Sequence, residues 1–213
     1  MLYHGTHVQN IKTLKPFATQ GNAISKPVIC FTANPHIALF YIWNRSYKWV
    51  AFCENENGKV VFTEHYENML YDFYNGVSGS IYACDGNDPA IAPTHMKGVY
   101  TSECPVTVNK ETIISNTYDE ILKHEALGNI ILQRYIQLSP EEKARISKTT
   151  VRAIHMQKLL FPSHSTSKTE QIDFVRSHFP KEWETASKMT THEIDQMINE
   201  WKASLHNNNG HCK

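Results

Sequence analysis

Close to the start of the chain, Leu2-Tyr3-His4-Gly5-Thr6 sets an imidazole beside a glycine. An imidazole offers a donor and an acceptor and exchanges a proton near neutrality. A glycine lets a ligand approach the backbone and use its N–H and C=O as a paired donor and acceptor. A second group follows at Phe31-Thr32-Ala33, with Tyr41 shortly after it. A tyrosine ring at a cleft stacks on a planar group. If a cationic or oxocarbenium-like centre develops in such a cleft, a carboxylate is wanted beside it. Residues 1–53 contain no Asp or Glu, so they cannot supply one.

Other chemistries find little local support. Twelve histidines invite a metal, but no HExxH pair occurs, and His4 and His7 would leave opposite faces of a strand. The tail His206, His211 and Cys212 sits in an Asn- and Gly-rich end. No metal is expected. The five cysteines are odd in number and form no CxxC pair, which predicts reduced thiols. No GxxxxGK[ST], GxGxxG or GxSxG occurs, so phosphate-loop, dinucleotide-fingerprint and nucleophile-elbow sites are not indicated.

The elements that must position these residues alternate between strand and helix in the first half. A short strand covers Leu2 to His4 and ends at Gly5, and Val28 to Thr32 is a β-branched and aromatic strand. Asn34-Pro35 caps a helix over His36 to Asn44 that brings Ile37, Phe40 and Tyr41 to one face. Trp49 to Cys53 and Lys59 to Thr63 read as a hairpin about Asn57-Gly58. A short helix over Asn68 to Tyr74 follows, then strands over Ser80 to Cys84 and Val99 to Val108, the latter bent by Pro105. Gly86 to Lys97 reads as a loop.

The second half is helical. Thr117…Glu120 is a capping box, and Gly128 is a stop. A strand over Asn129 to Tyr135 precedes a long helix that opens at Ser139-Pro140-Glu141-Glu142 and runs to Leu160. Ser167…Glu170 and Thr190…Glu193 open two more helices, and Ser163–Ser167 reads as a hinge before them. Ile194, Met197, Ile198, Trp201 and Leu205 form a stripe suited to core packing. Arg145, Lys148 and Arg152 form a basic face, read first as solvated and alternatively as a nucleic-acid contact.

Together, His4-Gly5-Thr6, Phe31-Thr32-Ala33 and the following Tyr41 resemble the His-Tyr-Glu class of ADP-ribosyltransferases, which includes diphtheria toxin and the poly(ADP-ribose) polymerases. The likeness covers residues 1–45 well and 79–125 loosely. It implies an α+β fold with a split mixed β-sheet, NAD bound as co-substrate in the central cleft, and a helical C-terminal extension. It further implies that His4 bonds the nicotinamide-side ribose, Gly5 clamps the nicotinamide amide and Tyr41 stacks on its ring. Thr6 and Phe31 complete the cofactor-binding set. The class carries its acid at the start of a late strand, where Lys97-Gly98-Val99 offers none. Glu103 is chosen for that role, with Asp85 and Glu111 as alternatives.

The expected domains are a catalytic one over 1–138 and a helical extension over 139–213. The expected reaction is transfer of ADP-ribose from NAD to a macromolecule, with nucleic acid slightly favoured over protein as acceptor. Rival readings are an NAD-dependent RNA 2'-phosphotransferase, which the HGT also resembles, and a non-catalytic NAD or ADP-ribose binding module. A toxin with a neutralising antitoxin partner is a setting that fits the size.

The chain of 213 residues is 41% apolar and 20% charged, an ordinary globular composition. No apolar stretch spans a bilayer, and the start reads as a strand, so a cytoplasmic protein with no membrane contact is expected. The formal net charge is zero, but unevenly so. Residues 1–53 carry five Lys or Arg and no acid, whereas 54–125 carry four Lys against twelve acids. An acid-free wall suits the dianionic pyrophosphate of NAD.

Overall fold

The computed structural model describes residues 1–17, 26–49, 51–161 and 165–207, the last three by backbone alone. Of the expected hinge Ser163–Ser167, residues 163 and 164 lie outside the described residues, as do the tail residues His211 and Cys212, while Ser165 caps a helix that already contains Thr166 and Ser167. The chain is α+β, 40% helical and 22% strand, with several antiparallel sheets. In chain order the first elements are β1 (Leu2–Thr6), β2 (Thr13–Leu14), β3 (Ile29–Thr32), α1 (Pro35–Leu39), β4 (Phe52–Glu54) and β5 (Val60–Thr63). Next come α2 (Met69–Tyr74), β6 (Gly79–Cys84), β7 (Ala92–Pro93), β8 (Val99–Ser102), β9 (Val106–Thr107) and β10 (Lys110–Ile114). The chain continues with α3 (Thr117–Ala126), β11 (Ile130–Gln133), α4 (Pro140–Met156), α5 (Thr166–His178), α6 (Pro180–Lys188) and α7 (Thr191–Asn207).

Two compact units share this chain. The first holds residues 1–44, 57–60 and 70–131; the second holds 45–56, 61–69 and 132–213. The division differs from the one expected at 138/139, because 45–56 and 61–69 group with the helices.

The first unit is built on a six-stranded sheet in the order β10-β6-β1-β3-β8-β7. Its pairings are antiparallel, where a mixed sheet was expected. β3 and β6 both run back along β1, and neither adjoins it through the crossover that a parallel pair requires. One face of the sheet forms a core of Leu2, Ile29, Phe31, Tyr82 and Cys84 with Leu14 and Val106, the last two from the small β2-β9 sheet. The loop expected between β6 and β8 contains β7, and Pro105 divides the single bent strand expected there into β8 and β9. β10 is a strand that the sequence reading lacked.

Helix α1 starts as expected, with the Asn34 side chain accepting from the His36 amide and Pro35 in the first turn. It ends at Leu39, five residues short of the expected end. The Tyr41 and Ile42 amides donate to Ala38 and Leu39 at 3.1 and 3.0 Å, tight turns that replace helix where aromatic and β-branched residues follow one another. Helix α3 is capped by Asn116, whose side chain accepts from the Tyr118 amide. Thr117, the expected cap, is buried instead and donates its hydroxyl to the Val77 carbonyl at 2.8 Å.

In the second unit, the Ser139–Glu142 capping box forms as expected and opens α4, which ends at Met156. Tyr66, Phe174, His178 and Phe179 cluster with Trp49, whose ring stacks on Phe179 at 5.3 Å. Helix α6 was not foreseen; Pro180 opens it and Ala186 is buried in it. The α7 stripe buries Met197 and half-buries Ile194, Ile198 and Trp201. No described helix is long and apolar enough to cross a membrane.

Candidate functional site

β1 is the middle of the site because it has a neighbour on each side. It pairs with β6 over its full length, from Leu2↔Cys84 to Thr6↔Ser80. With β3 it pairs only at Tyr3↔Thr32. Beyond that pair the His4 side chain takes over: its Nδ1 lies 2.8 Å from the Cys30 carbonyl. A carbonyl accepts only, so Nδ1 carries the proton and the neutral ring keeps its lone pair on Nε2. Phe17 and Phe31 present edges to this ring at 6.4 and 6.2 Å. Phe31 is 2% exposed, so it is a wall behind the imidazole and does not face a ligand.

Gly5 has a second duty that the sequence reading did not consider. A Cβ built on it would stand 1.8 Å from the Ala38 carbonyl oxygen. The glycine therefore lets α1 rest its backbone on β1. That contact delivers Tyr41, just past the helix, to the region of Cys30. Tyr41 keeps 44% of its surface open, yet burial raises its hydroxyl above the ordinary value, with Cys30 adding to the shift. The two observations agree when the hydroxyl points inward and a flank of the ring faces out. Thr6 accepts from the Val8 amide at 3.3 Å and so starts the turn after β1.

The acids are distributed otherwise than expected. Glu103 follows the last pair of β8, Ser102↔Ile29, and is 62% exposed, with the Lys26 ammonium 3.5 Å away. Tyr100, opposite Phe31, marks the level of His4. Three residues at about 3.4 Å and two inter-strand steps of about 4.8 Å put the Glu103 and His4 Cα atoms roughly 14 Å apart. Asp85 accepts from the Asn87 amide at 3.0 Å and shapes a turn.

Glu111 is the acid brought into register. It stands opposite Tyr82, which stands opposite His4, so the three share one face of the sheet. Its Oε1 accepts from Ser80 at 2.7 Å, the Asn10 amide at 2.8 Å and Tyr82 at 3.0 Å. The Ser80 and Asn10 hydrogen bonds hold its carboxyl below the ordinary range. The Tyr82 hydroxyl also lies 2.9 Å from the Val8 carbonyl and 3.1 Å from the Ile11 amide. Glu111 and Tyr82 thus buckle down the segment that follows His4-Gly5-Thr6. Exchanging Glu111 for Gln is expected to loosen that segment, read as faster amide exchange at Asn10 and Ile11. Tyr82, Ser80 and the β10 ladder were missed; the β-branched run Thr112-Ile113-Ile114 was the available signal.

Among the described residues, no group of three or more His, Cys, Asp or Glu is placed to hold a metal ion. Cys30, Cys84 and Cys104 are free thiols. No family model matches the chain, and no curated protein or solved structure matches it either.

Proposed function

We propose that the first unit binds NAD where β1 and β3 part and transfers its ADP-ribose to a macromolecular acceptor, releasing nicotinamide. One observation carries this reading: His4 and Tyr41, far apart in sequence, both come to Cys30, the imidazole to its carbonyl and the tyrosine to its electrostatic reach. The imidazole accepts from a ribose hydroxyl through Nε2. The exposed flank of Tyr41 stacks on the nicotinamide ring, and the β1 backbone at Gly5 meets its amide. As the bond from ribose C1' to nicotinamide breaks, its electron pair leaves with nicotinamide and C1' becomes oxocarbenium-like. An acceptor nucleophile then forms the new bond to C1' and gives up its proton to solvent. Glu103 is the carboxylate that the resemblance assigns to stabilise that charge, and Glu111, in register with His4, is the alternative.

Labelled NAD tests this. His4→Ala and Tyr41→Ala are each expected to weaken NAD binding by at least about tenfold, measured by calorimetry. Glu103→Gln should retain binding and lose nicotinamide release by about 100-fold or more. Full activity in Glu103→Gln with transfer of an RNA 2'-phosphate would select the phosphotransferase reading. Binding without nicotinamide release under any acceptor condition would select a binding module, which the pairing of Glu103 with Lys26 favours. No NAD binding by the native protein would end all three.

A further inference from the structure

The basic face on α4 is exposed at Arg145 and Lys148, but it has a neighbour. α7 lies along it, and the two helices enclose a cleft of about 200 Å³. Arg145, Lys148 and Arg152 line one side, with the Thr149 hydroxyl among them. Trp201 and Ser204 line the other. Glu200 is the one acid in the lining, and it lies 3.5 Å from Lys148, with both side chains more than half exposed. Such a pair contributes little and yields readily to a stronger anion. The Arg152 guanidinium stands 4.9 Å over the Trp201 ring, so a cation and an aromatic plate are already stacked.

We propose that this α4–α7 cleft binds the sugar-phosphate backbone of a single-stranded nucleic acid. Three cations over seven helical steps span about 10.5 Å at 1.5 Å per step, a short row of charge to set against a phosphate backbone. Thr149 adds a neutral hydroxyl donor of the kind that accompanies charged contacts to phosphate oxygens, whereas the Ser204 hydroxyl is already donated to the Trp201 carbonyl at 2.7 Å. The Arg152–Trp201 stack offers a base a surface to lie on, which is how strands are held without sequence reading. An acidic peptide would satisfy the cations but would have no use for the aromatic plate. This inference concerns the second unit alone and stands whether or not the first binds NAD.

The test is fluorescence anisotropy of a fluorescein-labelled oligouridylate of roughly 12 nucleotides. With three phosphates neutralised, affinity should fall roughly 20-fold between about 50 and about 200 mM salt. In the Arg145→Gln/Lys148→Gln double variant the same change should cost only about threefold. Binding at low salt should also weaken at least about tenfold in that variant. Both positions are exposed, and circular dichroism checks that the variant folds; Lys148→Gln alone should give an intermediate salt dependence. Trp201→Phe should keep binding while losing part of the RNA-induced quenching of tryptophan emission. No binding by the native protein, an unchanged salt dependence in the double variant, or displacement of the RNA by a polyglutamate peptide at equal charge would overturn the proposal.

Discussion

Gly5→Ala is expected to destabilise the sheet unit by about 3 kcal/mol or more, or to prevent its folding. The added Cβ would meet the Ala38 carbonyl oxygen at 1.8 Å and its carbon at 2.8 Å, both backbone atoms. A side chain could rotate aside, but here α1 itself has to lift off β1. Ala38 and Leu39, which α1 buries, would then be exposed. Urea unfolding measures the loss. Gly58→Ala is the control: its φ is +74° with open space around the Cβ, so it should cost only about 1 kcal/mol. A Gly5→Ala loss no larger than the control would show that α1 yields without cost. The expected loss also bears on the NAD reading. Because packing alone requires Gly5, a failure of Gly5→Ala to bind NAD is not evidence for a backbone clamp. His4 and Tyr41 are the residues whose variants speak to the ligand.

Acid is expected to weaken the helical unit well above the range in which carboxylates titrate. His65 is largely but not fully covered, and that burial, with the nearby Arg145 charge, lowers its pKa from 6.5 to about 4. Its Nδ1 accepts from the Trp49 indole N–H at 3.3 Å, which requires that nitrogen unprotonated. His155 is shifted downward as well, by burial. A histidine whose folded pKa is depressed leaves the unfolded chain holding more protons between the two values. Stability is therefore full above about pH 6.5 and falls as pH drops towards 4, the total from His65 being about 3 kcal/mol. The lowered carboxylates of this unit, Glu142, Glu184 and Glu193, act only at more acid pH. Urea midpoints from pH 7 to pH 4 measure the slope, and Trp49 reports its own environment. His65→Gln keeps an acceptor and removes the titration. Its slope should be distinctly shallower, and an equal slope would assign the acid sensitivity elsewhere.

Local chemistry was readable where neighbours along the chain decide it. β3 and β6 show as β-branched and aromatic runs, and Asn34-Pro35 and Ser139…Glu142 cap their helices as their side chains dictate. Failures came where a distant partner decides. Lys110–Ile114 carries one charged residue beside another and reads poorly as a strand until β6 offers its edge. Thr117 matched a capping box, but a bond to the Val77 carbonyl turned it inward and left the cap to Asn116. α1 lost its last turn because Tyr41, Ile42 and Trp43 are more use packed than coiled; the Trp43 ring lies 5.1 Å from Phe73.

The sequence by itself determined which chemistries are within reach: a histidine beside a glycine, a later tyrosine, an acid-free start, and three cations on one helical face. These depend on residue type and on periods of two or about 3.6, which are properties of a short segment. Tertiary structure alone decided which of them meet. It joined His4 to Cys30, set α1 on Gly5, held Glu111 in register with Tyr82 while leaving Glu103 at the strand's far end, and closed a tryptophan over the basic helix. Register and packing are set by pairings between segments far apart in sequence. A slip of one residue would have sent every one of those strand side chains to the opposite face.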